Sequence, residues 1–179
     1  MIKLIFILLL ASKSFGATLS EEEFSKILNS KDTKMPLPKE FSLWNIMSNV
    51  AIKIKYELPE KTVEYLFTGE VKKVQGKYLV IKSLSRDNSI SFNSIIYYDK
   101  ETKLFILNKK YGDESIVSVK GKIRGKNKIV WIGRTDDSKL IGVETIKGKK
   151  VSVKETYLDD NDKILRKGYI TLEYKTGKK

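Results

Sequence analysis

The stretch that decides the fold runs Val50-Ala51-Ile52-Lys53-Ile54-Lys55-Tyr56-Glu57, in which apolar or aromatic residues alternate with small or charged ones. This period of two is typical of a β-strand that packs on protein with one face and meets water with the other. The same alternation returns later in the chain, around Val63, Phe92, Val117, Val151 and Ile170. The pattern therefore predicts antiparallel strands along most of the chain.

Turn-forming residues separate these stretches at regular intervals, near Gly76, Asp87, Lys100, Gly112, Gly125, Asp137, Gly148 and Asn161. We count about ten strands, roughly 8–14 residues apart, which favours a meander or barrel over alternating strands and helices. No proline follows Pro59, which is consistent with strands that are paired on both edges. A run of hairpins removes its exposed edges by closing on itself. We predict an all-β, up-and-down antiparallel barrel of about ten strands.

A short helix is predicted near residues 20–30, before the first strand. Ser20 can cap it while Glu23 reaches back to the cap, and Leu19 can pack on Phe24 as a hydrophobic staple. The apolar residues of this segment share one face at helical spacing. The prolines that follow indicate an extended connector over residues 31–40.

The first residues have the pattern of a secretory signal. Met1-Ile2-Lys3 precedes an apolar run from Leu4 to Ala11, and small residues follow. The run is shorter than the roughly 20 residues of a membrane-spanning helix. Ser14 at the −3 position favours cleavage after Gly16. We therefore expect an exported protein, periplasmic or secreted, that is soluble after cleavage and has no integral membrane span.

The composition excludes several kinds of chemistry. The chain has no cysteine and no histidine, so disulfides, thiol nucleophiles, thiolate or imidazole metal sites and an acylated cysteine anchor are excluded. The formal net charge is +13, and removal of Lys3 and Lys13 with the signal leaves +11. Almost all of the cations are lysine, whereas nucleic-acid recognition favours arginine. We predict no cofactor, no metal and no nucleic-acid partner, but weak contact with anionic envelope surfaces.

Three stretches resemble a known family. They are the hairpin from Tyr98 to Phe105, the Gly-centred turn from Val74 to Leu79, and the closing hairpin that joins 153–157 to 170–174. Taken in their order along the chain, they resemble exported bacterial domains of unknown function with a lipocalin-like, or calycin, β-barrel, over roughly residues 62–175. The resemblance implies a small barrel without settled activity or catalytic residues. Haem-binding relatives use a proximal histidine, which this chain lacks.

With this resemblance, three parts of the chain are expected. Residues 1–16 form the signal peptide, residues 17–41 the N-terminal helix and connector, and residues 42–179 the lipocalin-like barrel domain.

The candidate ligand-binding residues share the parity of the apolar residues, which a barrel turns inward. They are Tyr56, Tyr65, Tyr98, Glu155, Tyr157 and Tyr174. An apolar pocket with a few hydroxyl groups is typical of small-molecule sites, and barrels of eight to ten strands have room for one ligand. The alternative is that the tyrosines fill the core and hydrogen-bond one another or the backbone.

Glu155 is the exception among these residues because a buried charge is costly unless it is paired. Arg124, Arg134 or a lysine at the rim could pair with it. A bulge or a place at the barrel mouth would instead expose it, and this is the interpretation we favour. The sharper hypothesis is that Glu155 binds the polar head group of a ligand.

Three further features favour structural roles. Trp131 lies in a strand that is apolar on both faces, so we expect it in the core, with the N-terminal helix covering the strand outside. Trp44 precedes the sheet and is expected to plug one end of the barrel. The acidic run from Asp159 to Asp162 lacks the glycine and distal glutamate of a calcium loop, so we interpret it as a hairpin tip.

The leading hypothesis for function is an exported, monomeric binding protein that holds a small hydrophobic or amphipathic ligand inside the barrel. An alternative is an envelope interaction protein that uses its lysine-rich surface. A third is an enzyme with Tyr and Glu acid–base groups. No catalytic residue is assigned, because the sequence contains neither a Gly-rich phosphate loop nor a Ser-His-Asp set.

Overall fold

Ten antiparallel strands make up almost all of the regular structure in the computed structural model of the chain, which describes residues 18–44, 46, 48–135 and 137–175. One helix and one 3₁₀ helix precede them within these residues. The elements are α1 (Glu21–Leu28), the 3₁₀ helix (Lys39–Leu43), β1 (Asn49–Glu57), β2 (Thr62–Val74), β3 (Tyr78–Ser85), β4 (Ser91–Asp99), β5 (Leu104–Tyr111), β6 (Val117–Ile123), β7 (Lys128–Arg134), β8 (Lys139–Lys147), β9 (Lys150–Leu158) and β10 (Ile164–Lys175).

The strands form a closed up-and-down barrel, because each pairs with its neighbours in the chain and β1 pairs with β10. On β1, Ile52 lies opposite Phe67 of β2 on one side and Leu172 of β10 on the other. The predicted fold, an all-β antiparallel barrel of about ten strands with a short helix before it, is confirmed.

The barrel interior is built from one parity of each strand. On β1, Val50, Ile52 and Ile54 are buried inside, while Lys53 between them is exposed. The packing is tight at Gly121 of β6, where a Cβ atom would lie 2.5 Å from the ring of Trp131 on β7. The inward orientation of the Trp131 ring therefore depends on a glycine in the neighbouring strand.

α1 begins with the predicted capping box, in which the Ser20 side chain accepts from the Glu23 backbone and Glu23 accepts from the Ser20 backbone. Its buried residue Phe24 joins a second apolar cluster outside the barrel with Val74, Val80 and Ile95.

The expectation that this helix covers the Trp131 strand is wrong, because α1 packs against β3 and β4. Val80 and Ile95 lie opposite each other there and present an apolar surface on the outer wall. Two polar contacts to β5 hold the helix in place. The Leu19 backbone N–H donates to Asn108 Oδ1 at 3.2 Å, and Lys110 pairs with Glu21 at 2.6 Å.

The 3₁₀ helix and Trp44 close the end of the barrel at which β1 begins. Phe41 and Trp44 are buried in the main core and contact Phe105 of β5 edge-to-face, with ring centroids 5.3 and 5.0 Å away. Trp44 therefore plugs this end of the barrel, as predicted.

The predicted signal peptide, residues 1–16, lies outside the described residues. Within the part of the chain that the structure describes, no helix has the length and apolar character needed to cross a membrane.

Candidate functional site

A cavity of about 410 Å³ opens at the end of the barrel opposite the Trp44 plug. This end is surrounded by the hairpin loops that follow the odd-numbered strands. Its walls are apolar where Val63, Phe67 and Val117 line it, and the loops contribute Ile90 and Thr135. The cavity volume is within the range of small-molecule sites, about 300–1,000 Å³.

A buried ion pair lies at the floor of this cavity. Lys109 Nζ of β5 lies 2.5 Å from Glu155 Oε1 of β9, and the Tyr157 hydroxyl donates to Glu155 Oε2 at 2.7 Å. The two charged residues are only 3% and 5% exposed. Both carboxylate oxygens are therefore engaged, so the burial of this charge is compensated within the protein.

A glycine makes room for this arrangement. Gly168 of β10 lies opposite Glu155 on one side and Tyr56 on the other. A Cβ atom at this position would lie 2.9 Å from the Tyr56 ring and 3.3 Å from Glu155 Cβ. The tyrosine ring and the ion pair can thus approach each other across β10.

Two further tyrosines form a hydroxyl pair in the wall. The Tyr56 and Tyr111 hydroxyl oxygens are 2.9 Å apart, and the Tyr56 ring also lies edge-on to Tyr157. Burial raises the pKa of Tyr111 well above its ordinary value, and burial likewise raises the pKa of Tyr157. Both hydroxyls therefore stay protonated and can donate hydrogen bonds.

Arg166 is the second cation of the cavity. Its guanidinium carbon lies 3.9 Å from the centroid of the Tyr157 ring and 5.5 Å from that of Tyr56, as in cation–π contacts. Among the described residues, no carboxylate forms a salt bridge with it. Arg166 thus brings a positive charge to the cavity, whose lining also includes the carboxylates Asp113 and Glu114 of the loop after β5.

A smaller inner cavity of about 60 Å³ lies beyond the ion pair, towards the plugged end. Glu144 of β8 lines it and accepts hydrogen bonds from the indole N–H groups of Trp44 and Trp131, at 2.6 and 2.8 Å. Burial raises the pKa of Glu144 to about 7, although the two hydrogen bonds act in the opposite direction. Lys109 lines both cavities and, with Glu155, separates them.

The structure brings together three of the predicted site residues at the open cavity, namely Tyr56, Tyr65 and Tyr157. Glu155 lies directly below them. Tyr98 and Tyr174 lie elsewhere: Tyr98 packs on Phe105 near the plug, and Tyr174 lines the inner cavity.

The interpretation of Glu155 as an exposed residue is wrong, because β9 is regular there and turns the carboxylate inward. Its cation is neither Arg124 nor Arg134, which are both exposed; Arg134 pairs instead with Asp160 at 3.0 Å. The partner is Lys109, at the centre of the barrel.

Sequence reasoning missed three residues of this site: Lys109, Tyr111 and Arg166. A signal was present for each, because Lys109 and Tyr111 continue the parity of Phe105, and Arg166 shares the parity of Ile170. On β5 the apolar run from Leu104 to Leu107 obscured this parity, since its outer face is buried as well.

The acidic hairpin between β9 and β10 is a turn. Asp159 Oδ1 accepts from the backbone N–H groups of Asn161 and Lys163, at 2.9 and 2.8 Å. The residue with a left-handed backbone is Asp162, at φ 64°. Elsewhere among the described residues, too, no group of three acidic side chains is arranged to hold a metal ion.

Comparison with known proteins adds no relative: no family model matches the chain, and no curated protein does. The architecture itself, ten antiparallel strands in a closed barrel, is compatible with a lipocalin-like fold.

Proposed function

We propose that this chain is a binding protein that holds one small amphipathic molecule in the 410 Å³ cavity. The observation that carries the proposal is a cavity open at one end, with apolar walls and a few convergent polar groups. Tyr56, Tyr65 and Tyr157 contact the ligand, and Glu155 positions the Tyr157 hydroxyl. Tyr98 and Tyr174 take no part in this proposal because they lie towards the other end.

The polar end of the ligand is an anion in this proposal. Glu155 already has two partners, whereas Arg166 lies against two tyrosine rings and forms no salt bridge with a described residue. A planar guanidinium suits an oxyanion, with which it can form two parallel hydrogen bonds. We therefore assign the head group to Arg166 and the apolar body to the walls around Phe67.

Two dyes with the same apolar body test the proposal. 8-Anilinonaphthalene-1-sulfonate carries an anionic group, and N-phenyl-1-naphthylamine is the uncharged counterpart. We expect the sulfonate to bind more tightly than the uncharged dye. Arg166→Gln should weaken the binding of the sulfonate alone, by about tenfold or more, which is the effect of losing one charged hydrogen bond. Fluorescence titration measures both affinities.

Matched variants identify the binding site. Arg134→Gln removes an exposed arginine outside the cavity and should change neither affinity. Val117→Trp places a large side chain in the cavity and should weaken the binding of both dyes. If both dyes bind Val117→Trp as well as they bind the native protein, while circular dichroism shows an unchanged fold, the cavity is not the binding site.

We further propose that the barrel belongs to the exported lipocalin-like domains that its turns resemble, with residues 42–179 as the domain. The basic and apolar pattern of residues 1–16 supports export. Expression of the full chain in a bacterial host, followed by intact mass measurement, tests it. A mature chain beginning at Ala17 is expected. An uncleaved protein that retains Met1–Gly16 and stays in the cytoplasm would refute the proposal.

A further inference from the structure

Two neighbouring hairpins at the plugged end of the barrel carry an unusual concentration of positive charge. We call residues 122–128 and 147–150 the basic hairpin pair. They include seven cations and no acidic residue; the cations are Lys122, Arg124, Lys126, Lys128, Lys147, Lys149 and Lys150. All seven are exposed.

The fold places these charges on one surface. β7 pairs with β8, so Lys128 lies opposite Thr145, and the Ile146 backbone N–H donates to the Asn127 carbonyl at 2.9 Å. Adjacent strands are about 4.8 Å apart, which brings the two hairpin tips side by side. Gly125 and Gly148 form the tips, with positive φ angles and open space around them.

The charges of the basic hairpin pair are largely uncompensated. None of the seven forms a salt bridge with any residue that the structure describes, although other surface lysines, such as Lys53 and Lys139, do. Lys147 lies directly opposite Lys150, an arrangement that destabilises a sheet. One carboxylate, Glu173, lies opposite Lys150 on the other side. The repulsion that remains is relieved when an anionic partner is bound.

An apolar side chain accompanies the cations. Ile123, at the end of β6, is 39% exposed between Lys122 and Arg124. Apolar residues beside lysines are typical of segments that rest on a lipid surface, where the chain enters the head-group region and the cations face anionic lipids.

We propose that the basic hairpin pair docks on the surface of an anionic lipid bilayer. Clusters of four to eight lysines or arginines are attracted to such surfaces, and lysine acts there as a point charge. Single-stranded nucleic acid fits less well, because neither hairpin contains an aromatic residue on which bases could stack. Since the ligand cavity opens at the opposite end, it faces away from the docked bilayer.

Vesicle sedimentation tests the docking. The protein is mixed with vesicles of phosphatidylcholine alone or with 30% phosphatidylglycerol. We expect binding to the anionic vesicles only, and a loss of at least about tenfold in Lys126→Glu/Lys149→Glu, which changes the local charge by four units. Lys61→Glu/Lys163→Glu makes the same change in net charge at the open end and should retain most of the binding.

Three results would overturn the proposal. The first is equal binding to both kinds of vesicle, and the second is an equal loss in the two charge-reversal variants, which would mean that net charge alone acts. The third is tight binding of a labelled 20-nucleotide single strand without vesicle binding. Ile123→Ser, which removes the apolar side chain of the basic hairpin pair, should also weaken binding to the anionic vesicles. Arg166→Gln should leave it unchanged, so the docking and the cavity function can fail separately.

Discussion

Glu144 is the carboxyl group to which both tryptophans of the chain donate their indole N–H. Its pKa is raised from 4.5 to about 7, so the folded state holds this proton more tightly than the unfolded state does. The resulting stabilisation is fully present below about pH 4.5 and is lost as the pH rises through about 7. A shift of this size corresponds to about 3 kcal/mol.

The two tryptophans allow this ionisation to be observed directly. We expect their fluorescence to titrate with an apparent pKa of about 7, because ionisation places a negative charge beside both indoles. The chain has no histidine that would titrate in the same range. Glu144→Gln should abolish the transition; a transition that persists in this variant would assign it to another group, such as the α-amino group.

The same variant separates the contribution of Glu144 to stability. The free energy of unfolding of the native chain, relative to that of Glu144→Gln, should fall between about pH 5 and pH 8. Urea denaturation at several pH values measures this difference. A difference that stays constant or increases over this range would show that Glu144 is not held in its protonated form by burial.

The Lys109–Glu155 pair predicts a large effect of losing one partner. Lys109→Met should lower the free energy of unfolding by about 3–5 kcal/mol, because it leaves Glu155 buried without its cation. Lys109→Met/Glu155→Leu should recover part of this loss. Urea denaturation compares them with Lys53→Met, which breaks an exposed pair with Glu64 and should cost less than about 1 kcal/mol. Equal losses in Lys109→Met and Lys53→Met would contradict the buried-pair interpretation.

At the scale of single residues, the sequence predicts which way a side chain points better than it predicts the residue with which that side chain pairs. The alternation of β9 indicates that Glu155 shares the inward parity, and the structure agrees. Its partner could not be deduced, because the parity of each strand does not show which strands face each other across the barrel. The parity of Phe105 turns Lys109 inward, while Lys110 faces outward and pairs with Glu21 of α1.

At the scale of elements, α1 depends on the barrel for its stability. A helix of eight residues is too short to be stable alone, so the burial of Phe24 on Val80 and Ile95 holds it in place. Phe24→Ala should release the helix, at a cost of about 2 kcal/mol in docking, while the barrel stays folded.

Hydrogen exchange distinguishes this local release from global unfolding. Amide protons of residues 21–28 should lose protection in Phe24→Ala, whereas those of β3 and β4 should keep it. Ser25→Ala, at an exposed position of the same helix, is the control and should change neither. Loss of protection throughout the barrel would mean that α1 is part of its cooperative core.

The structure also explains why the sequence does not predict the docking site of α1. The apolar character of both faces, which favours β7 as the covered strand, occurs equally on β3 and β4, in Leu79-Val80-Ile81 and Ile95-Ile96. A covered outer face can thus be recognised from sequence. Which covered strand receives the helix depends on tertiary geometry, since the connector over residues 31–38 has to reach the plug.

At the scale of the molecule, the fold was predictable because most of the strands show a period of two and every connection between strands is a hairpin. The size of the cavity and the end at which it opens were not predictable, since they depend on which inward side chains are small and on where the plug stops. Trp44 fills one end, while the loops around Ile90 and Thr135 leave the other open.

The whole molecule also carries a large excess of positive charge, +13 for the full sequence. Such an excess destabilises the folded state by self-repulsion, and salt screens it. Raising sodium chloride from 20 to 300 mM should therefore increase the melting temperature by about 2–4 °C, the shift that 1 kcal/mol produces in a chain of this size. Lys126→Glu/Lys149→Glu should respond less, and a melting temperature that falls with salt would show that attractive pairs dominate.

The ion pair between the two cavities sets a length limit for whatever enters the barrel. A tail that passes Phe67 meets Lys109 and Glu155 and can extend no further without separating two opposite charges. In a series of alkyl sulfonates of increasing length, each added methylene would strengthen binding by about 0.8 kcal/mol until the tail reaches this floor. Longer members would gain nothing more, so a barrel with the proposed function would discriminate between ligands by the length of their tails as well as by their charge.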